Sequence, residues 1–167
     1  MHFRKAVKAD IPQIMAIIGQ TKAYLKSKGV DQWQDGYPDA GVIERDIENS
    51  NSYVLERCGS VVGTVAVVLD GDKNYEHIYE GRWLSNFPYA AIHRIAVSDE
   101  TRGTGAASVM LENIEGLCRQ KAIHSIRVDT HEDNRSMQGL LSKNGFQYRG
   151  IIYLEDGSKR LAYEKLI

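Results

Sequence analysis

The stretch Arg102-Gly103-Thr104-Gly105-Ala106-Ala107 stands between a β-rich run ending at Val97 and a helical pattern running from Gly105 to about Gln120. A helix that opens there presents backbone N–H groups without intrahelical partners, together with the positive end of its dipole. That combination is a site for an anion. Gly103 and Gly105 carry no Cβ, so phosphate oxygens can approach the backbone closely. Ala106 and Ala107 extend the small surface into the first turn, and Arg102 offers a side chain to flank the same anion. The glycine spacing alone also fits a dinucleotide-binding βαβ unit, or a glycine turn with no ligand. The position of the stretch, late in the chain and after antiparallel strands, weighs against the dinucleotide unit, whose glycines open a parallel βαβ repeat.

Working outward, His2 to Val7 reads as a first strand, and Asp10 with Gln13 has the spacing of a capping box. Ile11, Ile14, Met15, Ile17, Ile18, Tyr24 and Leu25 form an apolar stripe at helical spacing, with Gly29 as the stop. Val30 to Asp39 is an aromatic loop, and a shorter helix covers Val42 to Glu48. Ser52 to Arg57 and Val61 to Leu69 are β-rich runs split by Cys58-Gly59-Ser60, an antiparallel hairpin pattern. Asp70 to Pro88 reads as polar and irregular, and Tyr89 to Val97 as a strand. In the following helix Val109, Met110, Ile114, Leu117 and Cys118 share one face. Ser125 to Thr130 is a strand, Asn134 to Lys143 a helix, and Phe146 to Tyr153 a strand. After the Asp156-Gly157 turn, Leu161 to Ile167 closes the chain. No repeat or linker interrupts the pattern, so residues 1–167 are expected to form a single domain.

The chain has 167 residues, enough for a sizeable core, and its 43% hydrophobic and 26% charged residues are those of an ordinary globular protein. A formal net charge of −1 gives no global pull toward nucleic acid or an anionic membrane. Cys58 and Cys118 read as two buried thiols, and with no signal-peptide pattern after Met1 the expected location is cytoplasmic. No run reaches the apolar length of a membrane span. His77, His93, His124 and His131 lack the spacing of a metal site, so no metal is expected.

His93-Arg94-Ile95-Ala96-Val97, followed by Arg102, Gly105 and Ala107 in an Arg/Gln-x-x-Gly-x-Gly/Ala pattern, resembles the acetyl-CoA motif of the GNAT superfamily of N-acetyltransferases. Asn134, Leu140 and Lys143-Asn144-Gly145-Phe146 resemble its Asn…Leu…Gly-Phe block. The resemblance covers most of the chain and is strongest from Tyr89 to Phe146. It implies an α+β fold on a mixed α/β sheet, the GNAT-like acyl-CoA N-acyltransferase fold. That fold has an antiparallel N-terminal hairpin, central splayed parallel strands and four helices. It further implies that the backbone of Ile95, Ala96 and Val97 pairs with the pantetheine arm of acetyl-CoA, the Ile95 N–H polarising the thioester carbonyl. Arg102, Gly103, Thr104, Gly105, Ala106 and Ala107 would bind the pyrophosphate, with Asn134 near the pantetheine and Lys143 a further cofactor contact. Each also has a plain structural reading: Ile95 and Val97 as core strand residues, Asn134 as a helix cap. Many relatives pair into dimers, so a homodimer is open.

Acetyl transfer to a lysine-like amine needs the neutral amine, which at pH 7 costs about 4–5 kcal/mol from a pKa of about 10.4. His93 stands where many relatives carry a catalytic glutamate and is the candidate base, or else a histidine packed on its strand. Asp129 and His131, at the end of the following strand, are further polar candidates. Relatives commonly place a tyrosine directly after the leucine matched by Leu140, and this chain has Leu141 there. Tyr153 and Tyr163 are the alternative proton donors, or the thiolate departs without one. In relatives the segment joining the first two helices helps wall the acceptor site. Trp33, Gln34 and Tyr37 lie there among Asp31, Asp35 and Asp39, and with Asp129 would suit a cationic amine. The same residues also read as a solvated loop pinned by one tryptophan. The expected activity is N-acetyl transfer to a primary amine of a small molecule or peptide by direct attack in a ternary complex. The alternative is a non-catalytic acyl-CoA-binding module.

Overall fold

The computed structural model describes residues 1–167. In chain order the elements are β1 (His2–Lys5), α1 (Ile11–Ser27), α2 (Ala40–Glu48), β2 (Ser52–Arg57), β3 (Ser60–Val68), β4 (Ala90–Val97), α3 (Ala106–Gln120), β5 (Ser125–Thr130), α4 (Arg135–Lys143), β6 (Gln147–Tyr153) and β7 (Lys159–Leu166). Short 3₁₀ turns lie at Lys8–Asp10, Lys73–Tyr75 and Asp99–Thr101. The strands form one mixed sheet in the order β1-β2-β3-β4-β5-β7-β6. Strands β4 and β5 run parallel, while β1-β2, β2-β3, β5-β7 and β6-β7 are antiparallel. Two compact units share these elements: Met1–Val67 with Arg94–Asn113, and Val68–His93 with Ile114–Ile167.

In the first unit, Ile14, Ile17 and Ile18 of α1 pack with Ile43 of α2, Val54 of β2, Val61 of β3 and Ala96 of β4. This is the helical stripe expected from its spacing. α1 ends in a Schellman turn: Gly29, at φ 70, donates to Lys26 O (3.0 Å) and Val30 donates to Leu25 O (3.0 Å). The β2-β3 hairpin turns on Cys58 and Gly59 at φ 51 and 79, the two positive values that a tight right-twisted connection needs. Cys58 is therefore exposed at the tip, not buried as expected, whereas Cys118 is buried.

The capping box at Asp10 and Gln13 does not form. Both carboxylate oxygens of Asp10 accept from Arg4 (2.8 and 3.0 Å), and one also accepts the Val7 N–H (2.8 Å). Gln13 instead accepts from the Val61 N–H at 2.9 Å. Arg4 of the preceding strand and Val61 of β3 have taken these two side chains from the helix end, where Pro12 needs no amide partner.

In the second unit, the parallel ladder pairs Ala90 with Ile126, Ala91 with Arg127 and Ile92 with Val128, and ends there. The stretch expected to be irregular is a strap over one face. Its Tyr75 is 1% exposed and packs on Ala91, Ile152 and Ala162, flanked by Ile78, Trp83 and Tyr89. The strap also closes the open side of β6, the outer strand, whose unpaired groups would otherwise invite another chain. Tyr79 and Ile151 exchange two hydrogen bonds of 2.8 Å, and Arg82 N–H donates to Arg149 O at 3.1 Å. Two glycines permit this crossing. A Cβ on Gly81 would lie 1.9 Å from Arg149 O, and one on Gly150 would lie 2.5 Å from Tyr79 O.

Gly81→Ala should accordingly lose about 1–3 kcal/mol or more of stability, since backbone must move to admit the methyl. Gly19→Ala, mid-α1 with no atom within 4 Å of its added Cβ, should gain about 0.5–1 kcal/mol. Urea unfolding of both variants beside the parent protein measures the contrast, and a neutral Gly81→Ala would contradict the crossing.

Candidate functional site

In the first unit, β4 leads into the glycine stretch through a braced corner. Ser98 N–H donates to Val62 O (2.9 Å), the Ser98 and Thr101 hydroxyls lie 3.0 Å apart, and the Thr101 carbonyl accepts both the Thr104 amide (3.2 Å) and hydroxyl (2.8 Å). Beyond it Gly103 and Gly105 sit at φ 79 and 90, and a Cβ on either would meet no atom within 4 Å. The space a side chain would fill there is open. The first helical bond of α3 runs from Val109 N–H to Gly105 O (3.0 Å), so the amides of Ala106 and Ala107 precede the ladder. Arg102 lies 4.1 Å above the Tyr24 ring and is ion-paired to Asp99 at 2.6 Å. These residues fit a phosphate group: amides at a dipole's positive end, a nearby guanidinium, and no side chain in the way.

β4 changes direction at Arg94, which adopts φ 54. Its guanidinium forks onto Asp46 (2.8 and 2.7 Å) and also donates to the Tyr37 hydroxyl (2.7 Å). Ile95 and Val97 beyond it are half-buried, and Ala96 is buried. Of the other acceptor-loop candidates, Trp33 packs against the first unit's core, and the Gln34 amide donates to the carbonyls of Lys22 (3.0 Å) and Gln32 (3.1 Å). Both hold the loop's own shape, and only Tyr37 presents an exposed aromatic surface.

In the second unit, His93 Nε2 lies 2.9 Å from Asp72 Oδ2, with both side chains largely buried. The Tyr75 ring is 6.0 Å from His93 between centroids, and the Tyr75 hydroxyl donates to Asp129 Oδ2 at 2.7 Å. Arg160 lies 3.9 Å from the other Asp129 oxygen. Burial pushes the Asp129 carboxyl above the usual carboxylate range, against the pull of Tyr75, His93 and Arg160. For Asp72 burial acts upward too, but the His93 contact and the Asn74 amide outweigh it and the carboxyl is held below that range. His93 and Asp129 are thus gathered with Asp72, Tyr75 and Arg160, three residues that the sequence reading missed. Nothing local marks them: Asp72 and Tyr75 lie in the strap, where only the Asp70-Gly71 turn stands out.

Asn134 caps α4 by accepting the Met137 N–H at 3.1 Å, and Lys143 lies exposed in the last turn. The Asn144-Gly145-Phe146 block is a second Schellman end: Gly145 at φ 83 donates to Ser142 O, and Phe146 N–H donates to Leu141 O at 3.0 Å. Leu141 is 0% exposed, so a core hydrocarbon fills the position where relatives place a tyrosine. Tyr163 is buried edge-on to Tyr148, and burial raises its hydroxyl pKa. Tyr153 is 47% exposed, its ring edge-on to Tyr79. His131 is half-buried and accepts the Asp133 N–H at 3.1 Å. The only buried side-chain polar atom without a partner is Thr130 Oγ1, two residues past the last β4-β5 pair.

The raised Asp129 carboxyl carries a pH signature. A group that holds its proton more tightly when folded stabilises the fold below its unfolded pKa, and loses that contribution as pH rises through the folded value. Asp129→Asn should therefore gain stability relative to the parent as pH rises above the usual carboxylate range, with the difference vanishing in acid. Thermal melts from pH 4 to 8 test this, and a difference that grows in acid would contradict it.

The sequence pattern of the Acetyltransferase (GNAT) family matches residues 19–146, which lie in both units. A GNAT-family acetyltransferase from Streptococcus agalactiae 2603 is 39% identical, covering 99% of this chain and 95% of its own, with a TM-score of 0.90. One from Listeria monocytogenes 4b F2365 is 25% identical over 99% of this chain and 94% of its own, with a TM-score of 0.76. The ribosomal-protein-alanine N-acetyltransferase of Brucella melitensis, 19% identical over 100% of both chains at a TM-score of 0.72, shares the fold. No curated protein matches the chain. The glycine turn before α3, the parallel β4-β5 pair and the agreement over nearly the full length lead to one conclusion: the chain belongs to the GNAT acetyltransferase family.

Proposed function

We propose that this protein is an N-acetyltransferase. It takes the acetyl group of acetyl-CoA and passes it to a primary amine by direct attack in a ternary complex, with residues 1–167 acting as one domain in the cytoplasm. The observation that carries this reading is the glycine turn, where positive φ at Gly103 and Gly105 leaves open backbone before the first turn of α3. The coenzyme supplies an activated acetyl thioester. Arg102 to Ala107 hold its pyrophosphate and Ile95 to Val97 its pantetheine arm, the Ile95 N–H drawing electron density from the thioester carbonyl. Asn134 and Lys143 complete the cofactor contacts.

The acceptor nitrogen gives its proton to His93 and attacks the carbonyl carbon. The carbon–sulfur bond then breaks as the nitrogen loses its second proton to solvent, and the sulfur leaves as thiolate, protonated by Tyr153, Tyr163 or solvent. Tyr37 and Asp129 suit a small cationic amine, through an aromatic face and a carboxylate, with Trp33 and Gln34 keeping the acceptor loop in shape. The second reading, an acyl-CoA-binding module without catalysis, draws on Leu141, where a buried leucine replaces the customary hydroxyl.

Calorimetric titration should show binding of acetyl-CoA and none of NADH. Gly105→Glu should abolish that binding while the protein stays folded, because it sets bulk and negative charge at the phosphate site. Unchanged affinity in folded Gly105→Glu would remove the loop from the site. Thiol release from acetyl-CoA should rise with at least one member of a panel of polyamines, amino acids and amino sugars. Turnover confined to peptide N-termini would exclude a small-molecule acceptor, and binding without any turnover would favour the non-catalytic module.

A further inference from the structure

We infer that Asp72 is the positioning residue of the reaction: it fixes His93 as the Nε2–H tautomer and so leaves Nδ1 as the atom that accepts the amine proton. The inference rests on His93 being the base. A carboxylate oxygen 2.9 Å from Nε2 favours a hydrogen on that nitrogen, because a bare ring nitrogen would set its lone pair close to the carboxylate charge. With Nε2 committed as donor, the neutral ring has only Nδ1 to offer as acceptor.

The strap is built to hold Asp72 still. Gly71 sits at φ 86, and a Cβ on it would lie 3.2 Å from the Tyr89 ring. The Tyr89 hydroxyl accepts the Asp72 N–H (3.0 Å) and donates to the Asp72 carbonyl (3.0 Å), gripping both ends of one residue. Asp72 Oδ1 accepts the Asn74 N–H at 2.8 Å, so Oδ2 alone remains for His93. All four polar atoms of Asp72 are engaged.

His93 is faced by Asp72 and Tyr75 from the strap and by Asp129 from β5, with Arg160 of β7 beyond Asp129. Tyr75 and Arg160 engage Asp129, so Asp72 is the carboxylate that directs the ring. In the reaction the amine N–H bond breaks as Nδ1–H forms. The ring becomes imidazolium beside an ionised Asp72, and that proton passes to solvent as the acetylated product leaves. An unfixed ring would present Nδ1–H to the amine for part of the time, and that form cannot accept the proton.

The test labels histidine ring nitrogens with ¹⁵N in the full chain, reads each tautomer by long-range ¹H–¹⁵N correlation, and assigns His93 by its loss in His93→Ala. In the parent protein the neutral His93 ring should be protonated at Nε2, and in Asp72→Asn, whose Oδ1 keeps the Asn74 amide and whose NH₂ then faces Nε2, the ring should shift toward the Nδ1–H tautomer. A parent ring protonated at Nδ1, or the same tautomer in both proteins, overturns the inference, and the parent measurement alone decides if the variant fails to fold. With the best amine of the panel, Asp72→Asn should lower kcat at least about tenfold and His93→Ala about 100-fold or more, acetyl-CoA KM being unchanged in both. Full turnover in His93→Ala would remove His93 as base whatever its tautomer. Full turnover in Asp72→Asn beside an impaired His93→Ala would overturn the positioning role alone.

Discussion

Glu164 of β7 has no exposed surface, yet its carboxylate is fully engaged, and the second unit is arranged around it. Ser125 donates to it at 2.7 Å, Ser85 at 3.1 Å and Arg127 at 3.2 Å, and the Leu84 N–H also donates. Two of these donors belong to the strap, so satisfying one buried charge fastens the strap to the sheet. Arg127 adds to the hold: its guanidinium donates to Ser85 O (2.7 Å) and lies 4.2 Å over Trp83 and 4.0 Å over Tyr89. A buried ion pair contributes little net stability, because desolvation offsets the attraction. Its consequence here is placement. Arg127 sets Tyr89, Tyr89 grips Asp72, and Asp72 meets His93.

β4 has a complementary role. It is a regular parallel partner of β5 through Ile92 and then turns at Arg94, whose positive φ is uncommon for a side chain of that size. The strained residue is held by its own guanidinium, forked onto Asp46 and bonded to Tyr37. Strain of this kind costs about 1–3 kcal/mol and persists where surrounding contacts over-determine it. Ile95 to Val97, beyond Arg94, remain strand but have no partner in the β4-β5 ladder, in the segment for which the resemblance implies pairing with a cofactor.

The parts of the fold written in local chemistry were legible in the sequence. The Cys58-Gly59 hairpin, the stop at Gly29 and the Gly103–Gly105 turn need particular backbone angles at particular positions, and glycine announces them. The α1 stripe announces its buried face in the same way. What could not be read depends on partners far apart in the chain. Gln13 has the spacing of a cap partner for Asp10 but binds Val61, far along the chain. Asp72 and Tyr75 sit in a segment without periodicity, and the residues that give them meaning, His93 and Asp129, lie elsewhere in the chain. Gly81 and Gly150 carry no local signal, and the crossing of two backbones explains them. In the candidate site the glycine turn was therefore legible as a turn, His93 could be singled out only by its place in the resemblance, and its contact with Asp72 could not be read.

The replacement of a tyrosine by Leu141 becomes intelligible when the two proton transfers are weighed. Freeing a lysine-like amine of its proton at pH 7 costs about 4–5 kcal/mol, from a pKa of about 10.4. Expelling a thiolate, with a conjugate acid near 8.5, leaves a deficit of only about 2 kcal/mol at the same pH. The transfer in greater need of help is the one at the amine, and it is the one for which His93, held beside Asp72, is proposed above. The smaller deficit at sulfur can be met by solvent or by a less closely held hydroxyl. Leu141 is fully buried in the core, and under the proposed mechanism its lack of a hydroxyl leaves only the smaller of the two demands unmet.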